Sequence, residues 1–303
     1  MASPSSQPAA RPRIPAWARV LLTSVLLMPL ASTPLLGLAV PAVNARAQEP
    51  TLAGALTLVC VFSIALVAYL LASLGLVRWL DRRPFSALGL QLSARAALAF
   101  GAGVVVAVVL GVGGTALAIL LGIGRDATDA ADRFLAYPDL ALLILLLGQA
   151  FILQGIGEEV LFRGYLLQSL NRWPVLGVFI TALAFAVPHL TSQGGQESWV
   201  EHLIYLWVPF GFSISAAALA IVFGSVWAAV GIHGGFHVAT YVSFAVGLTV
   251  QGPGLWLLLG TLHLLTGVIV MALTPRTRWH QIAVNGPYTR CPELAPTAQV
   301  SRS

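Results

Sequence analysis

Apolar residues in this chain come in runs of about twenty, near 20–43, 55–77, 97–123, 139–168, 174–190, 203–223, 226–248 and 254–273, with short polar segments between them. A hydrocarbon core about 30 Å thick takes roughly 20 apolar residues per helical crossing. The pattern therefore predicts an all-α, polytopic membrane protein with about eight transmembrane helices. The run at 174–190 is short, and the join at Phe223-Gly224-Ser225 has almost no polar loop to mark a turn. Pro29, Pro34 and Pro209 fall inside apolar runs, where proline kinks a helix.

Composition agrees with this reading. Of 303 residues 58% are hydrophobic and 9% charged, with a mean hydropathy of +0.87, more apolar surface than a water-soluble fold can hide. All 16 basic residues are arginine. Across eight alternating spans, one side collects Arg11, Arg13, Arg19, Arg78, Arg82, Arg83, Arg95, Arg172, Arg276, Arg278, Arg290 and Arg302, and the other only Arg46, Arg125 and Arg133. By the positive-inside rule both termini are cytoplasmic. The lipid bilayer is the expected partner of these arginine clusters, and no nucleic-acid-binding stripe is present. An all-arginine, Ala-, Gly- and Leu-rich chain with short loops looks bacterial, which places it in the cytoplasmic (inner) membrane as a multi-pass protein.

Residues 1–19 and 274–303 read as disordered cytoplasmic tails around one membrane domain, 20–273. The N-terminus imitates a secretory signal, with an Ala-Arg-Ala site at 45–47, but its apolar run is nearer a full span than a signal core, so an uncleaved first helix is expected. Cys60 lies in an apolar run and Cys291 in the polar tail, which argues against a disulfide and excludes a cysteine-based metal site.

Against this apolar background Glu158, Glu159 and Arg163 stand out in the fourth run. A carboxylate at bilayer depth costs on the order of 3 kcal/mol unless it is paired or wet, so such a cluster marks a functional site by default. Residues four apart share a helical face, so Glu159 and Arg163 stack as an ion pair, while Glu158 is turned away without a local partner. His189 closes the fifth run with Phe185 one turn before it. If the connection between the fourth and fifth helices lies at 171–174, an antiparallel hairpin puts Glu158 and His189 at one level. The seventh run carries His233 and His237, two imidazoles four apart, with glycines between them that permit close approach. His202, His263 and His280 read as bystanders.

Glu158, His189, His233 and His237 together form an inventory suited to activating water. Two arrangements are open. In one, His189, His233 and His237 hold a divalent ion of the zinc type and Glu158 takes the proton from its bound water. In the other, Glu158 activates water directly while the histidines position it and steady the oxyanion. A non-catalytic immunity or partner-stabilising protein, and a transporter, are the alternatives to an enzyme. The absence of an internal repeat disfavours the transporter.

The sequences Glu158-Glu159-Val-Leu-Phe-Arg163-Gly164, Phe185-Ala-Val-Pro-His189 and Trp227-Ala-Ala-Val-Gly-Ile-His233 resemble the three motifs of the CPBP family of intramembrane proteases, which includes CAAX prenyl endopeptidases and bacteriocin-processing or immunity proteins. The resemblance runs from about Arg78 to Val250, with the core motifs in 140–250. It implies an intramembrane endopeptidase of the glutamate-dependent, metalloprotease type that cuts a membrane-embedded or lipid-proximal peptide. Glu158 matches the catalytic acid, Glu159 the second acid, Arg163 the motif arginine, and His189 and His233 the motif histidines. His237 departs from the pattern, because the family usually carries Asn or another small polar residue there.

Overall fold

The structure, a computed structural model, describes residues 12–288. The apolar runs become helices α1 (Ala16–Leu38), α2 (Leu52–Leu80), α3 (Ala94–Leu120), α4 (Asp139–Leu167), α5 (Pro174–Thr191), α6 (Trp199–Phe223), α7 (Val226–Ala245) and α8 (Pro253–Leu273). A further helix, α9, spans Arg276–Asn285. Two residue pairs form a small antiparallel ladder, β1 (Arg125–Asp126) with β2 (Val250–Gln251).

Among the described residues seven of these helices are long and apolar enough to cross a membrane, one fewer than the eight expected. The missing one is α7, whose His, Gly, Thr and Ser residues lower its hydropathy. The composition follows from its position. α7 is walled by protein, with Val226, Ala228–Gly235 and Ala239 all buried, so its side chains are chosen for packing and chemistry rather than for contact with lipid. Chain direction still requires α7 to traverse the bundle. α6 ends and α7 begins at the Gly224 turn, which has the left-handed backbone that glycine adopts freely, and α7 ends beside β2 at the opposite end.

The two described ends of the chain meet at one end of the bundle. Arg13 N–H donates to the Leu80 carbonyl at 2.8 Å, Arg278 donates to the Ile221 carbonyl at 3.2 Å, and Tyr288 Oη donates to the Arg163 carbonyl at 2.8 Å. The β1–β2 ladder marks the other end. This is the arrangement that an even number of crossings requires.

The expected tails are shorter than the sequence reading made them. Residues 1–11 and 289–303 lie outside the described residues. Residues 16–19, however, belong to α1, and 276–285 form α9. Trp279 and Ile282, three apart, seat α9 against Val178, Ile214 and Met271, an apolar pair that a reading by charge and proline content passes over. α1 is built into the bundle through buried polar ties. Tyr69 Oη donates to the Leu27 carbonyl at 3.0 Å, Ser24 Oγ to the Ala184 carbonyl at 2.8 Å, and Arg19 pairs with Asp81 at 3.3 Å. Burial pushes the Asp81 carboxyl above the usual carboxylate range, against the pull of Arg19 and Arg83.

α3 and α7 run parallel and touch backbone to backbone. A methyl group at Gly231 would collide with the Phe100 carbonyl oxygen, and one at Gly234 with the Phe151 ring of α4. Gly231→Ala should therefore force the helices apart and cost about 1–3 kcal/mol. A lowered midpoint of thermal unfolding in detergent is the expected readout, and an unchanged midpoint would contradict this packing.

Candidate active site

α4 is not a uniform helix. One α-helical turn, Ile156–Glu159, lies between two π-helical stretches, Gly148–Gly155 and Val160–Leu167. π turns are uncommon and occur preferentially where a side chain must be re-aimed. Here they bracket the paired acids.

Arg163 is fully buried, and its guanidinium is surrounded by partners. Nη1 donates to Glu159 at 2.9 Å, the contact that a four-residue spacing predicts, and Nη2 donates to Ser213 Oγ at 2.6 Å and to the Ser213 carbonyl at 3.1 Å. Its cation lies 4.9 Å from the centre of the Phe185 ring and 5.8 Å from that of Phe212. Arg163 thus ties α4 to α5 and α6 while neutralising Glu159. Phe185, expected to support the site, also packs edge-on to Phe162 at 5.0 Å.

Glu159 has a second partner that sequence spacing does not show. Its Oε1 accepts from His233 Nδ1 at 2.8 Å, across 74 residues. With Nδ1 carrying the proton, Nε2 of the neutral ring is left with a lone pair. That nitrogen lies 3.9 Å from Glu158 Oε2. The separation is too long for a hydrogen bond and short enough for one water molecule to touch both atoms. Glu158 is 4% exposed, and its Oε2 has no hydrogen-bond partner among the described residues. His233 therefore bridges the two acids: Glu159 orients the ring, and the other nitrogen looks toward Glu158.

The remaining candidates border this centre. His189 sits where α5 tightens into a 3₁₀ turn, Val187–Thr191, and its Nδ1 donates to the Phe185 carbonyl at 2.8 Å. The Phe185 ring lies 4.7 Å from His189 and 6.0 Å from His233, so α5 and α7 meet across it. The expected meeting of Glu158 and His189 is therefore indirect, with no hydrogen bond between them among the described residues. His237 stacks on His233 with ring centres 5.5 Å apart and planes 24° apart. Its nitrogens hold no hydrogen bond to protein among the described residues. His263 lies behind Phe212, bonded to Ser215 Oγ at 2.9 Å, and His202 packs on Trp199, both outside the cluster.

The three-histidine metal set is not assembled. Among the described residues no group of three or more His, Cys, Asp or Glu side chains is placed to hold a metal ion. Nδ1 of His233 is held by Glu159 and Nδ1 of His189 by a carbonyl, and the His237 ring stacks on that of His233.

Residues 140–239 match the family model described as "Type II CAAX prenyl endopeptidase Rce1-like". This segment belongs to the CPBP family of intramembrane proteases. The match takes in Glu158, Glu159, Arg163, His189, His233 and His237 and leaves α1–α3 and α8 outside it. The segment therefore has the character of a CAAX-protease-like hydrolase within a multi-pass membrane protein. Among curated proteins and solved structures, no match to the chain was found.

Proposed function

We propose that this protein is an intramembrane endopeptidase in which Glu158 activates water to hydrolyse a peptide bond of a membrane-associated substrate. The observation that carries this reading is the pairing of a buried carboxylate oxygen that has no hydrogen bond with an imidazole nitrogen 3.9 Å away, whose other nitrogen is held by a second carboxylate. A purely structural pair needs Glu159 and Arg163 only. A water lying between Glu158 and His233 Nε2 gives its proton to Glu158 as its oxygen attacks the substrate carbonyl. Glu158 then returns that proton to the departing amine. His237, whose nitrogens are uncommitted, faces the developing oxyanion as a donor, the part Asn plays in the family pattern.

An apolar cavity of about 400 Å³, lined by Leu183, Ala186, Val187, Leu203, Trp207 and Phe210, adjoins the α5 segment that carries Phe185 and His189. The prenylated class in the family description is the first to test, beside transmembrane peptides without a lipid. We also assign the end holding both described chain ends to the cytoplasm of a bacterial inner membrane, on the distribution of arginine.

The test is incubation of the purified full chain in bilayer nanodiscs with farnesylated Cys-a-a-X peptides and with unmodified transmembrane peptides, followed by mass spectrometry. Cleavage of at least one class is expected. An intact panel with folded protein would contradict the enzyme reading.

A further inference from the structure

Hydrolysis within lipid requires water at Glu158, and α4 and α7 supply one line of polar side chains leading there. The two helices run antiparallel and are pinned at two levels. Glu159 meets His233 at 2.8 Å, and farther along Tyr241 Oη donates to Gln149 Oε1 at 2.7 Å. On α7 the residues at these levels, His233, His237 and Tyr241, are four apart and share one face. On α4 the matching spacing is five and then four, through Gln149, Gln154 and Glu158. The stretch Gly148–Gly155 is π-helical, so a five-residue step returns to the same face, and the α turn that follows brings Glu158 onto it. Gln154 therefore stands at the level of His237, between the two pinned levels.

The Gln154 amide oxygen is buried without a hydrogen-bond partner among the described residues, and the His237 ring stacks on that of His233. A buried polar atom left this way is costly, and a water beside it would satisfy it. Leu140, Leu143 and Leu147, nearer the start of α4, are exposed.

We propose that Gln149, Gln154, His237 and Tyr241 form a file that holds water and delivers it to Glu158 from the β1–β2 end of the bundle. The proposal rests on the protease reading above for its purpose, and on the geometry alone for its wetness. Gln154 is then a positioning residue for the attacking water.

Two measurements test it. In the full chain carrying Cys60→Ala and Cys291→Ala, Gln149→Cys and Gln154→Cys should react with a charged, membrane-impermeant methanethiosulfonate reagent applied at the β1–β2 end of sealed vesicles. Leu143→Cys on the lipid face should not. Equal inertness at all three positions overturns the file. With a peptide that the wild type cleaves, Gln154→Leu should lower kcat roughly tenfold with KM held within about twofold, and Gln154→Ser, which leaves room for water, should keep most of the rate. An unchanged kcat in Gln154→Leu also overturns it. Because the labelling needs no substrate, a dry file and a failed protease reading give different results.

Discussion

Replacing Glu158 by Gln is expected to lower the cleavage rate by about 10²- to 10⁴-fold, the range that positioned general bases supply, with KM little changed. The substitution keeps the volume and the polar character of the side chain. It removes the ability to take a proton from a water that also touches His233 Nε2, 3.9 Å from the carboxylate. Because Glu158 has no ion pair of its own within its helix, losing its charge leaves no buried cation stranded, and the variant should accumulate in the membrane like the wild type. Single-turnover cleavage with quantified membrane protein separates the two effects. Retained full activity in Glu158→Gln removes this residue from the chemistry.

The largest stability effect is expected at Arg163. Arg163→Met keeps much of the length of the side chain and leaves Glu159 as an unpaired acid in a site with no exposure, a change that typically costs about 3–5 kcal/mol. Against a total stability of roughly 5–15 kcal/mol this is large, and the variant should unfold at a much lower temperature in detergent or fail to accumulate. The double variant Glu159→Gln with Arg163→Met should recover part of the loss, since the amide it places on α4 is neutral and its oxygen can still accept from His233 Nδ1. Simple additivity of the two single effects would contradict a direct Glu159–Arg163 coupling.

The contrast between these two acids shows how far sequence spacing reaches. Glu159 and Arg163 are one turn apart on one helix, so their pairing is a local property, legible from numbering alone. That Glu159 also holds His233 is not legible, because it depends on how α7 is rotated against α4 across 74 residues. The brace therefore has two arms where spacing shows one. Histidines four apart on α7 share a face, and their rings stack with centres 5.5 Å apart. The same limit hides α9, whose Trp279 and Ile282 gain meaning only once α5, α6 and α8 form a surface to receive them.

The lengths and order of the apolar runs are enough to establish a bundle of membrane helices, to locate them along the chain, and to put a charged cluster at bilayer depth. Lipid offers the backbone no hydrogen bonds, so each apolar run must satisfy its own, and run length is a local quantity. Which faces meet is a matter for three-dimensional packing: α7 walled by protein rather than lipid, the His233 ring between two carboxylates, and no group of three or more metal donors among the described residues. Those outcomes depend on close packing at glycines such as Gly231 and Gly234 and on the π turns of α4, which set helix rotation to within a fraction of a turn. Periodicity gives each helix a face, and only packing tells it what that face will touch.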